Sequence, residues 1–129
     1  MILTFSKSKF VRRIKLLIKI HTIREDKIDR WHKGRVIHFW SGNPRNIKNH
    51  PYQFKNGMCV STQKIEIEYQ GLEQNGSVIP VVKIDGKYLD YHTKVQLAIH
   101  DGFDSVKDFF EWFNKDFKGK LIHWTDYKY

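Results

Sequence analysis

Residues 60–69 place the strongest constraint on what this chain can fold into. Apolar and charged residues alternate along their second half: Ile65, Ile67 and Tyr69 with Lys64, Glu66 and Glu68. Because successive side chains of a strand point to opposite faces, this alternation predicts a strand with one buried and one hydrated face. The chain is therefore expected to contain a sheet that covers a core on one side.

Five other segments have the character of strands. They are residues 2–5, 35–40, 78–84, 87–91 and 120–124. The turn Ser41-Gly42-Asn43-Pro44 follows the second of them, and Asn75-Gly76 predicts another turn. Asp85-Gly86 separates two of the segments by the two residues of a tight hairpin with a primed turn.

Three helices are predicted from apolar spacing and capping residues. The first has Ser6 at its N-cap position and places Phe10, Ile14 and Leu17 on one face. Capping boxes at residues 93–96 and 105–108 begin the other two. The last helix carries an apolar face that we interpret as core: Val106, Phe109, Phe110 and Phe113.

The order of these elements predicts an α+β fold. We expect a curved sheet or small β-barrel, with the first and last helices covering its openings. The chain has 129 residues, which fits one domain over residues 1–129 and suffices to bury a core without disulfides or metals.

Positive charge is concentrated in the first part of the chain. The formal net charge is +9, and residues 1–50 hold 13 Lys or Arg against three acids, whereas the remainder is close to balanced. Such an excess attracts polyanions, so nucleic acid is the partner that the composition favours. A generally basic surface without a partner is the alternative.

Several classes of protein are disfavoured. A single cysteine, Cys59, excludes an internal disulfide and a cysteine-based zinc cluster. The seven histidines show no paired ligand spacing, so neither a metal nor another cofactor is expected. The longest apolar run, Leu16-Leu17-Ile18, is far too short to span a membrane, and no signal peptide is evident. A cytoplasmic protein without membrane contact is therefore expected.

The segment from Lys19 to Asp26 concentrates polar groups between two regular elements. Lys19 offers a base, Thr22 a hydroxyl nucleophile and Arg24 a clamp for an anion. A threonine needs a neighbouring base, and a lysine can be that base only when burial or nearby cations lower its pKa. Lys19 and Thr22 also converge only if the backbone turns between them. From these residues alone, a solvated basic turn is the favoured interpretation.

Other residues are candidates for contacts with nucleic acid. Trp31 lies beside Arg30 in a polar segment, where its ring could stack on a base, and Trp40 is a weaker candidate because it ends a predicted strand. Arg45 follows a turn and could reach a phosphate, although an ordinary solvated arginine is equally consistent. The predicted nucleic-acid contacts are Lys19, Arg24, Arg30, Trp31 and Arg45.

Three short motifs along most of the chain occur in a familiar order. They are Lys19-x-x-Thr22-Ile23-Arg24 followed by Arg30-Trp31-x-x-Gly34, then Leu97-Ala98-x-x-Asp101-Gly102-Phe103-x-Ser105, and finally residues 121–124. They resemble, in turn, the segments after the first helix, the acidic-Gly-Phe turn and the final strand of the ASCH domain family of the PUA-like superfamily.

The resemblance implies a PUA-like β-barrel with a cleft that binds RNA or modified nucleotides. In one bacterial branch it also implies amidohydrolase activity on acetylated cytidine, through a lysine, a threonine and a glutamate that fall on Lys19, Thr22 and Asp101. Two departures are present. Asp101 is one methylene shorter than glutamate, and Leu16-Leu17-Ile18 stands where a glycine-containing turn is common.

We therefore predict a nucleic-acid or nucleotide-binding module, with RNA as the favoured ligand in a basic cleft. The alternative is a small amidohydrolase that acts on an acylated nucleoside such as acetylcytidine, with Lys19, Thr22 and Asp101 as its catalytic residues. A basic protein-interaction domain without a site is a third interpretation. No pattern in the residues indicates an oligomeric state.

Overall fold

A computed structural model describes residues 1–69, 73–74, 77–78 and 80–129. Its helices are α1 (Ser8–Lys15), α2 (Tyr91–His100) and α3 (Val106–Trp112), with a 3-10 turn at Ile47–Asn49. Its strands are β1 (Ile2–Phe5), β2 (His21–Arg24), β3 (Val36–Ser41), β4 (Tyr52–Met58), β5 (Ser61–Glu68), β6 (Glu73–Gln74), β7 (Ser77–Val78), β8 (Val81–Ile84), β9 (Lys87–Tyr88) and β10 (Phe117–His123). The three predicted helices are confirmed, whereas β2 and β4 are strands that the sequence did not reveal. The solvated basic turn favoured for the segment from Lys19 is wrong, because Lys19, His21 and Thr22 are buried.

The strands form two main sheets, so the prediction of one curved sheet is wrong. The first has the order β1-β3-β4, with β1 parallel and β4 antiparallel to β3. The second has the order β2-β10-β5-β8-β9, and all its pairs are antiparallel. β6 pairs with β7. In the described part of the chain neither sheet closes into a barrel, and the α+β class is confirmed.

One extended run carries the chain from the first sheet to the second. Only Cys59 and Val60 separate β4 from β5. The Cys59 N–H donates to the Arg35 carbonyl at 2.8 Å, beside β3, whereas the Val60 N–H donates to the His123 carbonyl at 2.8 Å, in β10. The strand predicted at residues 60–69 is confirmed as β5, and the strand before it belongs to the other sheet.

A shared core joins the two sheets. Ile37 and Phe39 of β3 are fully buried, as are Ile65 and Ile67 of β5, so the alternation in the sequence does mark an inward face. Each such side chain contributes roughly 1.5–3 kcal/mol of transfer free energy. The helices add further buried residues: Phe10, Val11 and Ile14 from α1, Leu97 and Ala98 from α2, and Phe109 from α3.

The end of α1 determines how the chain continues towards β2. Leu17 has a backbone φ of 63°, the left-handed conformation that usually carries glycine at this position. The Ile18 N–H donates to the Arg13 carbonyl at 2.9 Å, which is the six-residue closure of a Schellman motif. Leu17 is 72% exposed, so its predicted place on the apolar face of the helix is wrong.

Two of the three helices have a side-chain hydrogen bond at their N-cap. Asp90 caps α2 by accepting a bond from the Thr93 N–H at 2.8 Å, one turn before the predicted capping box. Ser105 caps α3 as predicted and accepts from the Asp108 N–H at 3.2 Å. α1 has Lys7 at its N-cap position, without a side-chain cap. Within the described residues, no helix is long and apolar enough to cross a membrane.

The β8–β9 hairpin confirms the turn predicted at Asp85-Gly86. Their φ angles of 50° and 80° are both positive, as the central residues of a type I′ turn require. The Asp85 carboxylate also accepts bonds from Gln63 Nε2 at 3.0 Å and the Lys64 N–H at 2.9 Å, which tie the turn to β5. The turn predicted at Asn75-Gly76 lies outside the described residues.

Candidate functional site

A cavity of about 270 Å³ lies between β1, α1, β2 and the segment that joins α2 to α3. Six polar residues line it: Thr4, Ser6, Lys19, Thr22, Arg24 and Asp101. Five aromatic rings form much of its wall: Phe5, Phe10, Phe103, Trp112 and Phe113. The structure therefore brings together the three predicted catalytic residues and, with Arg24, two of the five predicted nucleic-acid contacts.

Lys19 reaches the cavity because the chain turns through Leu17 at the end of α1. Its own N–H donates to the Arg13 carbonyl at 3.0 Å, which ties this residue to the helix. The Lys19 side chain is buried, and its Nζ lies 5.1 Å from the centre of the Phe10 ring. The backbone turn that Lys19 and Thr22 need in order to share a site is thus present.

Asp101 meets Lys19 from the C-terminal end of α2. Lys19 Nζ donates to Asp101 Oδ1 at 3.1 Å and to the Asp101 backbone carbonyl at 2.5 Å. Both side chains are at most 5% exposed, so the pair is a buried salt bridge. Gly102 follows with a φ of 97°, and a Cβ there would lie 2.8 Å from the Phe10 ring. This turn therefore needs glycine for its conformation and for its close packing.

Thr22 and Arg24 project from the same face of β2 into the cavity. Arg24 Nε donates to Thr22 Oγ1 at 3.3 Å, and Arg24 Nη2 donates to the Thr4 carbonyl at 2.8 Å. The guanidinium lies 5.1 Å from the centre of the Phe5 ring. These bonds use two of its five N–H groups, so three can still bind a ligand. Among the described residues, no hydrogen bond links Lys19 to Thr22.

Burial sets the electrostatics of the cavity. Loss of hydration lowers the pKa of Lys19; attraction to Asp101 opposes this effect, and repulsion by Arg24 adds to it. Burial also lowers the pKa of the Arg24 guanidinium. The neutral amine of Lys19 is therefore more accessible than that of a hydrated lysine, which is the condition for a lysine to act as a base.

A chain of hydrogen bonds leads from Asp101 away from the cavity. His21 Nδ1 lies 3.2 Å from Asp101 Oδ1, and the Tyr129 hydroxyl lies 2.7 Å from His21 Nε2 and 3.0 Å from His100 Nδ1. His21 is fully buried, and burial lowers its pKa, which favours the neutral ring with one N–H. Because an ionised carboxylate only accepts, that N–H is at Nδ1, and Nε2 accepts from Tyr129. His21 thereby orients the Asp101 carboxylate.

The sequence analysis missed this group of histidines. The His21 ring centre lies 5.4 Å from that of His123 and 6.3 Å from that of His100. His123 donates to Gln63 Oε1 at 3.0 Å, and burial lowers its pKa to about 4. The three residues come from β2, α2 and β10, so no local spacing could have marked them. The described residues contain no group of three or more side chains arranged to hold a metal ion.

Arg30, Trp31 and Arg45 lie away from the cavity. Trp31 is only 6% exposed and packs in the core, so the prediction that its face stacks on a base is corrected. Arg30 is exposed, and its carbonyl accepts from Arg35 Nε at 3.0 Å. Arg45 is exposed in the turn after β3, where its N–H donates to Asn43 Oδ1 at 3.0 Å.

Asp26 explains why Trp31 is held inward. Its carboxylate accepts from the N–H groups of Arg30 at 2.7 Å and Trp31 at 2.8 Å, and from Lys120 Nζ at 3.0 Å. Burial acts to raise the pKa of Asp26, but these bonds outweigh it and hold the pKa below its usual value. Lys120 also donates to the Trp31 carbonyl at 3.0 Å and to Asp29, so the segment is attached to β10.

Comparisons with known proteins gave no match: no family model, curated protein or solved structure matches this chain. The functional interpretation therefore rests on the geometry of the cavity and on the motifs in the sequence.

Proposed function

We propose that the cavity binds one nucleobase, presented by a nucleotide or by an RNA strand. The observation that carries this proposal is the convergence of Lys19, Thr22, Arg24 and Asp101 within aromatic walls. A base has flat apolar faces, which stack on aromatic rings, and an edge with donors and acceptors. The cavity of about 270 Å³ is near the lower limit, roughly 300 Å³, of small-molecule sites, which suits a single base.

The polar groups keep hydrogen-bonding capacity that a base edge can use. Lys19 as an ammonium directs two of its three N–H groups at Asp101 and keeps one. The Thr22 hydroxyl accepts from Arg24 and can still donate its own hydrogen. Asp101 Oδ1 receives the bonds from Lys19 and His21, so its second oxygen can accept from a ligand. The proposed site thus combines donors with an acceptor.

The resemblance to the ASCH family supports the same proposal. Its first motif contains Lys19, Thr22 and Arg24, and its acidic motif contains Asp101, so both quoted motifs contribute to one cavity. On this proposal the chain is a PUA-like nucleotide-binding module, and an RNA ligand fits the cytoplasmic location expected from the sequence.

Calorimetric titration with the four ribonucleoside monophosphates tests the binding proposal. Arg24→Gln should weaken binding at least tenfold, because hydrogen bonds to charged groups contribute about 1.5–3 kcal/mol. Arg30→Gln is the matched control, since it removes the same charge outside the cavity, and its affinity should stay within about twofold of wild type. Equal losses in the two variants, or no binding of any monophosphate at millimolar concentration, would contradict the proposal.

A second candidate function is hydrolysis of an acylated nucleobase. The observation that favours it is a buried lysine of lowered pKa in the same cavity as a threonine hydroxyl. In this reaction the neutral Lys19 amine takes the Thr22 proton while Oγ1 attacks the amide carbonyl. The C–N bond then breaks as the Lys19 ammonium, held in place by Asp101, gives that proton to the leaving nitrogen. Water hydrolyses the acyl-threonine ester and regenerates the hydroxyl.

Release of acetate from N4-acetylcytidine tests the hydrolase candidate. Thr22→Ala and Lys19→Met should each abolish turnover, whereas Thr22→Ser keeps a hydroxyl and should retain measurable turnover. Circular dichroism provides the control that each variant is folded. If wild-type protein at high concentration releases no acetate, the hydrolase candidate is rejected and the binding proposal is unaffected.

A further inference from the structure

The segments of the chain that lack acidic residues include α1 and the three-stranded sheet. Residues 1–24 and 30–65 contain no Asp or Glu, and they supply α1 together with every strand of the β1-β3-β4 sheet. The other sheet carries Glu66 and Glu68 on β5, and Lys83 of β8 forms ion pairs with both. The strands of the other sheet therefore contain acids among their cations, whereas α1 and its own sheet contain none.

A groove of about 440 Å³ lies between α1 and the ends of two strands of this sheet. Arg12 and Lys15 line it from one face of the helix, and Lys9 lies one turn earlier. Ser41 at the end of β3 and Tyr52 at the start of β4 face them. The groove is concave, and its charged lining is entirely cationic.

The three cations of the groove are not neutralised within the protein. In the described part of the chain, Lys9, Arg12 and Lys15 form no ion pair, although each is close to other cations of α1. Asp104 forms its salt bridge with Arg13 and attracts Lys9 and Arg12 only from a greater distance. Their fields therefore add, and the groove is a place where an anion gains favourable electrostatic energy.

Aromatic rings connect the groove with the candidate site. Tyr52 is 49% exposed, and Lys15 Nζ lies 5.8 Å from its ring centre, so a face of the ring is available beside a cation. Lys9 Nζ lies 5.5 Å from the ring centres of Phe10 and Phe103, which both form walls of the cavity. Lys9 thus lines the groove and lies beside two of the rings that form the cavity wall, without lining the cavity itself.

We propose that this groove binds the sugar–phosphate backbone of a single-stranded nucleic acid that places one base in the cavity. The proposal rests on the nucleobase function argued above and specifies its substrate as a strand rather than a free nucleoside. Lys9, Arg12 and Lys15 extend over about 9 Å of the helix axis, which suits successive phosphates better than one isolated anion. The exposed ring of Tyr52 provides a face on which a flanking base stacks.

A fluorescein-labelled 12-residue oligouridylate, followed by anisotropy from 50 to 200 mM NaCl, tests the groove. The triple variant K9Q/R12Q/K15Q should lose at least tenfold in affinity at low salt. Because each phosphate contact on a single strand adds about 0.7 to the slope of log K against log salt, that slope should become shallower by about two. The control K87Q/K107Q/K115Q removes the same charge from exposed positions elsewhere and should lose less than threefold.

Uridine monophosphate binding separates this inference from the proposed function. The variant K9Q/R12Q/K15Q should bind uridine monophosphate with the affinity of wild type, whereas Arg24→Gln should lose affinity for the monophosphate. If the wild-type protein binds neither the monophosphate nor a strand, the proposed nucleobase-binding function is rejected. If the monophosphate binds but both triple variants weaken strand binding equally, only the groove inference is overturned. Tyr52→Ala, at an exposed position, should weaken strand binding without changing the salt slope.

An anionic membrane is the competing partner for this surface, because Leu16, Leu17 and Ile18 are exposed just beyond Lys15. The concave shape of the groove favours a strand, since a flat bilayer does not enter it. Sedimentation with phosphatidylserine vesicles distinguishes the two. If vesicle binding depends on Lys9, Arg12 and Lys15 while oligouridylate binding does not, the groove inference is overturned.

Discussion

Leu17 departs from the conformational preference of its residue type, and the site depends on the turn that it makes. A left-handed conformation costs an L-residue roughly 1–2 kcal/mol, and glycine is the usual residue at this position of a helix C-terminus. Leu17 adopts it with a φ of 63°, and its exposed side chain gains little packing in return. The turn persists because the bonds from Ile18 and Lys19 to the Arg13 carbonyl hold it.

Leu17→Gly should therefore raise the free energy of unfolding by about 0.5–1 kcal/mol, since relief of strain exceeds the added entropy of the unfolded chain. Urea denaturation measures the change. Leu16→Gly is the matched control, because Leu16 is also exposed but has a φ of −85°, and this variant should be destabilised. Destabilisation of both variants to the same extent would mean that Leu17 is not strained.

Asp101 shows how position compensates for a short side chain. Asp101 is one methylene shorter than the glutamate that the resemblance to the ASCH family implies at this position. At the end of α2, its carboxylate lies 3.1 Å from Lys19 Nζ and 3.2 Å from His21 Nδ1, so the shorter side chain already reaches both partners.

At the scale of elements, the segment between β2 and β3 is held by one carboxylate. Asp26 accepts three hydrogen bonds, including one from Lys120 of β10, and these bonds connect an irregular segment to an inner strand of the five-stranded sheet. The burial of Trp31 follows from this connection. An element without regular hydrogen bonding of its own thus obtains its structure from a side chain.

Asp26→Ala should lower the free energy of unfolding by about 2–4 kcal/mol, because bonds to a buried charge are lost and Lys120 loses a partner. Asp29→Ala is the control. Asp29 also binds Lys120, but its side chain is 83% exposed, so its removal should cost less than about 1 kcal/mol. Fluorescence of the tryptophans during urea unfolding reports both values, and similar losses in the two variants would contradict the role assigned to Asp26.

At the scale of the whole molecule, buried histidines make stability depend on pH. His123 has a pKa of about 4 in the folded protein, against about 6.5 in an unfolded chain. Between these values the unfolded state binds more protons, so stability is retained above pH 6.5 and falls as the pH drops towards 4. His21, whose pKa burial also lowers, acts in the same direction.

Urea unfolding between pH 4 and 8 should show this loss, with roughly 3 kcal/mol attributable to His123. His123→Gln cannot titrate in this range, so its stability should vary less with pH than that of wild type, whatever its value at neutral pH. His50→Gln, at an exposed position, should keep the wild-type dependence. A dependence in His123→Gln as steep as in wild type would show that other groups cause the loss.

Local patterns in the sequence were sufficient for several elements. The alternation in β5, the hairpin at Asp85-Gly86 and the cap at Ser105 each depend on residues that are neighbours along the chain. The periodicity of a strand and the φ requirement of a turn are properties of short segments, so they can be recognised without knowledge of the rest of the fold. The α+β class follows from their order.

Only the tertiary structure decided which strands share a sheet and which side chains share the cavity. Its position beside Arg30 in a polar segment predicted an accessible Trp31, but a carboxylate five residues earlier, bound to a distant strand, holds it in the core. Lys19 and Asp101 are 82 residues apart, and their contact depends on the turn at Leu17 and on the close approach that Gly102 permits. Burial then lowers the pKa of Lys19. Burial and long-range contact are properties of the packed chain, because desolvation depends on every element that surrounds a group.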